Sequence, residues 1–147
     1  MKITICGSMK HADKMVKAYK KLQKIGHTPV MHEDVFGIAS GTAPELIEGI
    51  TKNHAEVKKK YDFIKIWHGL IMESDAILVC NYDRNGIKNY VGGNTLMEIG
   101  FAYTADKKIF LINPIPDGVS YADEIKAMFT AVLDGDLSKI ENSEKMK

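Results

Sequence analysis

Arginine is almost absent from this chain: Arg84 is the only one, and every other cation is lysine. A surface built to grip many phosphates favours forked guanidinium groups, so a broad nucleic-acid interface is not indicated. The net charge of +1 supplies no long-range field toward nucleic acid or an anionic membrane. Cysteine is scarce too. Cys6 and Cys80 fall inside apolar runs, too few for a disulfide framework and expected as buried free thiols in a reducing cytoplasm. No apolar stretch approaches membrane-spanning length, and the opening MKITICGS is too short for a signal-peptide core. Repeats and low-complexity tracts are missing. The expectation is a cytoplasmic protein with neither nucleic acid nor membrane as partner.

What is present is ordinary globular material: 147 residues, 45% hydrophobic and 27% charged. That length fits one domain, residues 1–147, able to bury a core without staples. Lys2 to Cys6 (KITIC) is β-branched and runs into Gly7-Ser8, which predicts a buried strand and a turn. Met15, Ala18, Tyr19, Leu22 and Ile25 recur at helical spacing, with lysines opposite and Gly26 as the stop. HTPVM, residues 27–31, reads as a second strand, and Pro29 assigns it to an edge. Residues 32–53 look irregular, a lid or subunit-contact insertion with a short helix around Glu45 to Ile50.

A long helix is expected from His54 to Glu73, with Val57, Tyr61, Ile64, His68 and Ile71 as its stripe, widened by Phe63, Trp67 and Leu70. AILVC (76–80) is continuously apolar, as in a central parallel strand. A polar loop, 82–93, leads to a helix from Thr95 to about Ala105, with Asn94 as N-cap. KIFLI (108–112) is the fourth strand. Ser120 and Asp123 form a capping box opening a helix to about Met128, and Thr130 to Leu133 supplies a short fifth strand. The tail from Glu141 is polar and is expected to fray.

This alternation predicts an α/β fold, an open doubly wound parallel sheet of about five strands with helices on both faces, flavodoxin- or Rossmann-like. Such sheets bind ligands beyond the carboxyl ends of their strands. Residues 7–11, 81–98 and 113–117 are expected to converge there.

The most informative segment is Gly92-Gly93-Asn94-Thr95-Leu96-Met97-Glu98-Ile99-Gly100. Paired glycines let backbone approach a ligand, and the following helix aims free N–H groups at it. Glu98 is expected in the first turn, where the dipole favours an ionised carboxylate able to attack a sugar C1′. The same acidic placement serves the dipole alone. Neither a dinucleotide fingerprint nor a Walker loop occurs in the segment.

Four pieces in order, ITICGSM, SDAILVCN, GGNTLMEIGFA and KKIFLINP, resemble the nucleoside 2-deoxyribosyltransferase superfamily, which includes deoxynucleoside monophosphate N-glycosidases. The likeness spans roughly residues 2–128 and is strongest over Thr95, Glu98, Gly100 and Ala102. It implies cleavage or exchange of the N-glycosidic bond of a nucleoside or nucleotide, with Glu98 as nucleophile and no cofactor. It implies that Gly7, Ser8 and Met9, with Gly92, Gly93, Asn94 and Thr95, line a sugar or phosphate pocket. It also implies a homo-oligomer, a neighbouring subunit completing the site near Lys126 to Met128. Two positions depart from the family pattern. The family's aspartate ahead of the third strand is replaced here by Ile66-Trp67-His68, and the aspartate or serine six residues before the nucleophile is Gly92. His68 is a candidate replacement proton donor, since an imidazole exchanges protons near neutral pH; a helix histidine packed beside Trp67 is the plain alternative.

Other residues carry weaker signals. Asn81 ends the third strand at the ligand edge and is expected to meet a sugar hydroxyl. Asp75 is expected to cap a strand end. His32, Glu33 and Asp34 could face a base or ribose, or form a solvated turn. His27, His32 and Glu33 lack the tight pairing of a metal site. Lys58-Lys59-Lys60 reads as a solvated helix face, and Met97 and Phe101 as core. Two other readings of the scaffold stay open, a non-catalytic nucleotide-sensing module and a flavin-binding flavodoxin-like protein.

Overall fold

The computed structural model describes residues 1–52, 55–56 and 62–145. Five parallel strands form one sheet: β1 (Lys2–Gly7), β2 (Thr28–Val30), β3 (Ala76–Cys80), β4 (Lys108–Leu111) and β5 (Ala131–Val132), in the order β2-β1-β3-β4-β5. Helices connect and cover them: α1 (Ala12–Lys24), α2 (Asp34–Ser40), α3 (Pro44–Lys52), α4 (Phe63–Met72), α5 (Gly93–Thr104), α6 (Ala122–Met128) and α7 (Lys139–Lys145). This is the expected doubly wound α/β architecture. The central strand β3 is buried at every residue, as its unbroken apolar run requires. Among the described residues, no helix is long and apolar enough to cross a membrane.

Strand order turns around between β1 and β3. Right-handed crossovers moving in opposite directions from that point put α1 on one face of the sheet and α5 on the other. Side chains confirm the division. A Cβ on Gly7 would meet Met15 of α1 at 3.6 Å and Cys80 at 3.1 Å, whereas Cys6, one residue earlier, hydrogen-bonds Glu98 of α5. Cys6 pairs in register with Val79, and Cys80 with Gly7. The two free, buried cysteines therefore face opposite sides and cannot bridge.

Several local expectations are corrected. Residues 32–53 contain two helices, α2 and α3, α2 ending at Gly41 with φ 75°. Tyr19 of α1 packs edge-on against Phe36, 5.2 Å between rings. In α4 the buried stripe is Phe63, Trp67 and Ile71, not the Ile64–His68 row: Ile64 is 38% exposed and His68 is exposed. The cause is Trp67, whose indole donates to the Ile5 carbonyl at 2.9 Å and so fixes the helix's rotation. Val57, Tyr61 and the Lys58–Lys60 run lie outside the described residues. The capping box does not form: α6 begins at Ala122 after Tyr121, with no side-chain cap. Residues 141–145 belong to α7, close to buried Leu137 and Ile140, and the rest of the tail lies outside the described residues.

Candidate functional site

The turn after β1 is capped by Ser8, whose hydroxyl accepts the Lys10 N–H at 3.3 Å and starts a short 3-10 turn, Met9–His11. The same hydroxyl accepts a 3.0 Å hydrogen bond from Nη1 of Arg84. Arg84 stands at one end of a tight hairpin. It exchanges backbone hydrogen bonds of 3.0 and 2.9 Å with Ile87, while Asn85 (φ 54°) and Gly86 (φ 73°) take the left-handed conformations such a two-residue turn needs. The guanidinium lies 5.8 Å from the Tyr90 ring centre, and its buried Nε has no hydrogen-bond partner. Thus the single arginine ties the loop after β3 to the turn after β1. Only its rarity marked it in the sequence.

The loops after β3 and β4 are joined by asparagines. Asn81 is buried; its amide donates to the carbonyls of Asn113 and Pro114, both at 3.0 Å, and of Asn89 at 3.4 Å. Its carbonyl oxygen accepts the Asn113 N–H at 3.0 Å. With its polar atoms so occupied, Asn81 braces two loops, in place of the expected sugar contact.

Gly92, in extended conformation, precedes α5, and its carbonyl accepts the Leu96 N–H at 2.9 Å. Helix α5 therefore starts two residues earlier than Asn94 capping would require. Glycine is itself an acceptable N-cap. Asn94 lies inside the first turn and Thr95 is buried. A Cβ on Gly92 would press on the Tyr90 ring at 3.3 Å, whereas one on Gly93 would meet nothing within 4 Å. Gly93 thus borders open space at the helix start.

The early start moves Glu98 into the second turn; no acidic residue occupies the first. The dipole at the first turn therefore does not account for its charge. Near the carboxylate is Cys6, one residue before Gly7 in β1. Burial pushes the Cys6 thiol well above its ordinary value, and the neighbouring Glu98 carboxylate, to which the thiol is hydrogen-bonded, raises it further. The Cys6 thiol also reaches the Thr4 carbonyl oxygen, 4.0 Å away. Oxygen Oε2 of Glu98 is shielded from solvent.

His11 was not singled out in the sequence. Its ring packs 5.6 Å from that of Tyr82, and its buried Nε2 has no hydrogen-bond partner. Burial, then Lys14 and Arg84, lower its pKa, which favours the neutral imidazole. Tyr82 is pushed up to about 12, first by burial. Tyr121 donates to the Val91 carbonyl, tying α6 to the loop before α5. A cavity of about 350 Å³ is bounded by Met9, Lys10, Ala12 and Asp13, and by Ile38, Ala39 and Ile47 of α2 and α3. The insertion is therefore a wall of this cavity.

The remaining candidates are dispersed. His68 lies on the outer side of α4, its ring 5.0 Å from Phe101. Met97, expected in the core, is 40% exposed. Asp75 accepts the Lys2 N–H at 2.7 Å and caps the amino end of the sheet, away from the site. His32 sits 3.2 Å from Asp34 and packs near Phe63 and Trp67, bracing the start of α2. His27 contacts the terminal amine of Met1 at 3.3 Å. Among the described residues no group of three or more His, Cys, Asp or Glu side chains is placed to hold a metal ion.

No family model matches the chain, and no curated protein or solved structure matches it.

Proposed function

We propose that this chain cleaves or exchanges the N-glycosidic bond of a nucleoside or nucleotide, with Glu98 as the nucleophile. The observation that carries this reading is the nearness of Glu98 to Cys6, a residue adjoining the Gly7-Ser8 turn at the reversal of strand order. The carboxylate attacks C1′, the C–N bond breaks, and its electron pair leaves with the base. Water or a second base then opens the glycosyl ester. The departing base takes a proton from His68 or a bound water; the outward position of His68 favours water. Gly93, with open space over its Cα at the start of the helix that carries Glu98, supports room for a sugar. Arg84, linked to Ser8, supplies a cation for a 5′-phosphate. The reading needs no cofactor and fits a cytoplasmic homo-oligomer in which a second copy completes the site near Lys126 to Met128.

The test is incubation with a panel of nucleosides and nucleotides, following free base by chromatography. Release by the parent and its loss in Glu98→Ala support the proposal; no release from any member overturns it. A second reading, nucleotide binding without turnover, is favoured by Ile66-Trp67-His68, where Trp67 serves the core and no carboxylate is available. It predicts thermal stabilisation by nucleotides with no base released.

A further inference from the structure

We propose that the lysine flank of α1 is a separate binding site for a polyphosphorylated small molecule with an aromatic body. Lys14, Lys17, Lys21 and Lys24 follow one another at three- and four-residue steps, so they form a column along one side of the helix. At 1.5 Å per residue the column is about 15 Å long. Lys20 stands beside it. All five border one groove of about 420 Å³, whose floor includes Ala18, Tyr82, Ile112 and Leu137.

Charge and shape both point to an anion. Among the described residues no carboxylate forms an ion pair with any of the five lysines. Asp13 is the only acidic residue on α1. Asp134, next to Gly135 of the groove wall, already pairs with Lys139 at 3.4 Å. Lys14 lies 4.5 Å over the Tyr82 ring. Like charges at these helical spacings repel, so the column weakens α1 until an anion lies across it. A single phosphate would meet only one step of the column; a chain of two or three spans several. The apolar floor and a volume within the usual range for small ligands, about 300–1,000 Å³, suit an attached ring. Tyr82 and Asn113 follow β3 and β4, so the groove opens at the edge where such sheets take ligands. It is nevertheless on the α1 face, with Glu98 on the other.

The experiment is calorimetric titration of the full chain with ATP, tripolyphosphate and adenosine at two salt concentrations. ATP is expected to bind more tightly than either tripolyphosphate or adenosine, and added salt should weaken ATP binding. Lys17→Glu/Lys21→Glu, both at exposed positions, should reduce ATP affinity at least tenfold while melting no lower than the parent. Glu98→Gln should bind ATP as the parent does. Absence of ATP binding overturns the proposal, as does binding that the double variant leaves intact. Tripolyphosphate binding equal to ATP removes the aromatic body from the ligand class and overturns it in that form. Failure of the base-release assay with ATP binding retained would remove the glycosidic reading alone.

Discussion

Asn81 and Asn113 grip each other by reciprocal hydrogen bonds across the ends of β3 and β4. Asn81 Nδ2 reaches the Asn113 carbonyl, Asn113 N–H reaches Asn81 Oδ1, and Asn113 Nδ2 reaches the Asn81 carbonyl, at 3.0, 3.0 and 2.9 Å. Replacing Asn81 by Ala strands the buried partners of its side chain. The expected loss is about 2 kcal/mol, or roughly 5 °C in Tm. Asn81→Asp should be worse, because it faces a carboxylate with the carbonyls of Asn113 and Pro114. Urea unfolding with an unchanged slope and a lower midpoint is the check.

Glu98→Gln keeps the size of the side chain and can still meet the Cys6 thiol, but it cannot form a glycosyl ester. Base release should fall by about a thousandfold or more, while the melting temperature stays near that of the parent. Comparable turnover by the variant and the parent would remove the nucleophile assignment.

Arg84→Met should separate phosphorylated from unphosphorylated substrates. Losing a charge-assisted contact of roughly 1.5 kcal/mol or more raises KM for a nucleoside monophosphate about tenfold. The parent nucleoside should be nearly unaffected. Equal changes for both would show that Arg84 serves only the hairpin and Ser8.

High pH should unfold the chain. Burial holds Cys80 at about 12 against an ordinary 9.0, and Tyr82 at about 12 against 10.0; Cys6 is raised as well. The native state keeps protons that the unfolded chain gives up, so stability is full below about pH 9 and is lost as pH rises toward 12. The slope contributed by Cys80 alone approaches about 1.4 kcal/mol per pH unit. Denaturant midpoints between pH 8 and 11 test this. At pH 8 both thiols should resist alkylation until the chain is unfolded.

The strands were legible because their signals are local: KITIC, AILVC and KIFLI are apolar runs bounded by turn residues, and Pro29 marked the edge. The stop at Gly26, with φ 90°, was equally plain. Features set by tertiary contact were not. The phase of α4 depends on the indole of Trp67 finding the Ile5 carbonyl, a partner 62 residues away. Asn94 has the right chemistry for a cap, but Gly92 serves in its place with the Tyr90 ring against it, and Glu98 shifts by half a turn as a result. Gly7, Ser8, Met9, Gly92 and Glu98 were singled out from pattern and resemblance. Cys6, His11 and Arg84 were not, because their significance lies in what stands opposite them.

Both borders of the sheet are stubs. The outer strand on one side is three residues with a proline at its centre, and on the other side it is two residues. Neither offers enough unpaired backbone to recruit another strand, so continuous sheets across molecules are disfavoured. A second copy of the chain is left with helical flanks and loops as its place of attachment, and fibril-like association by edge pairing has no starting point here.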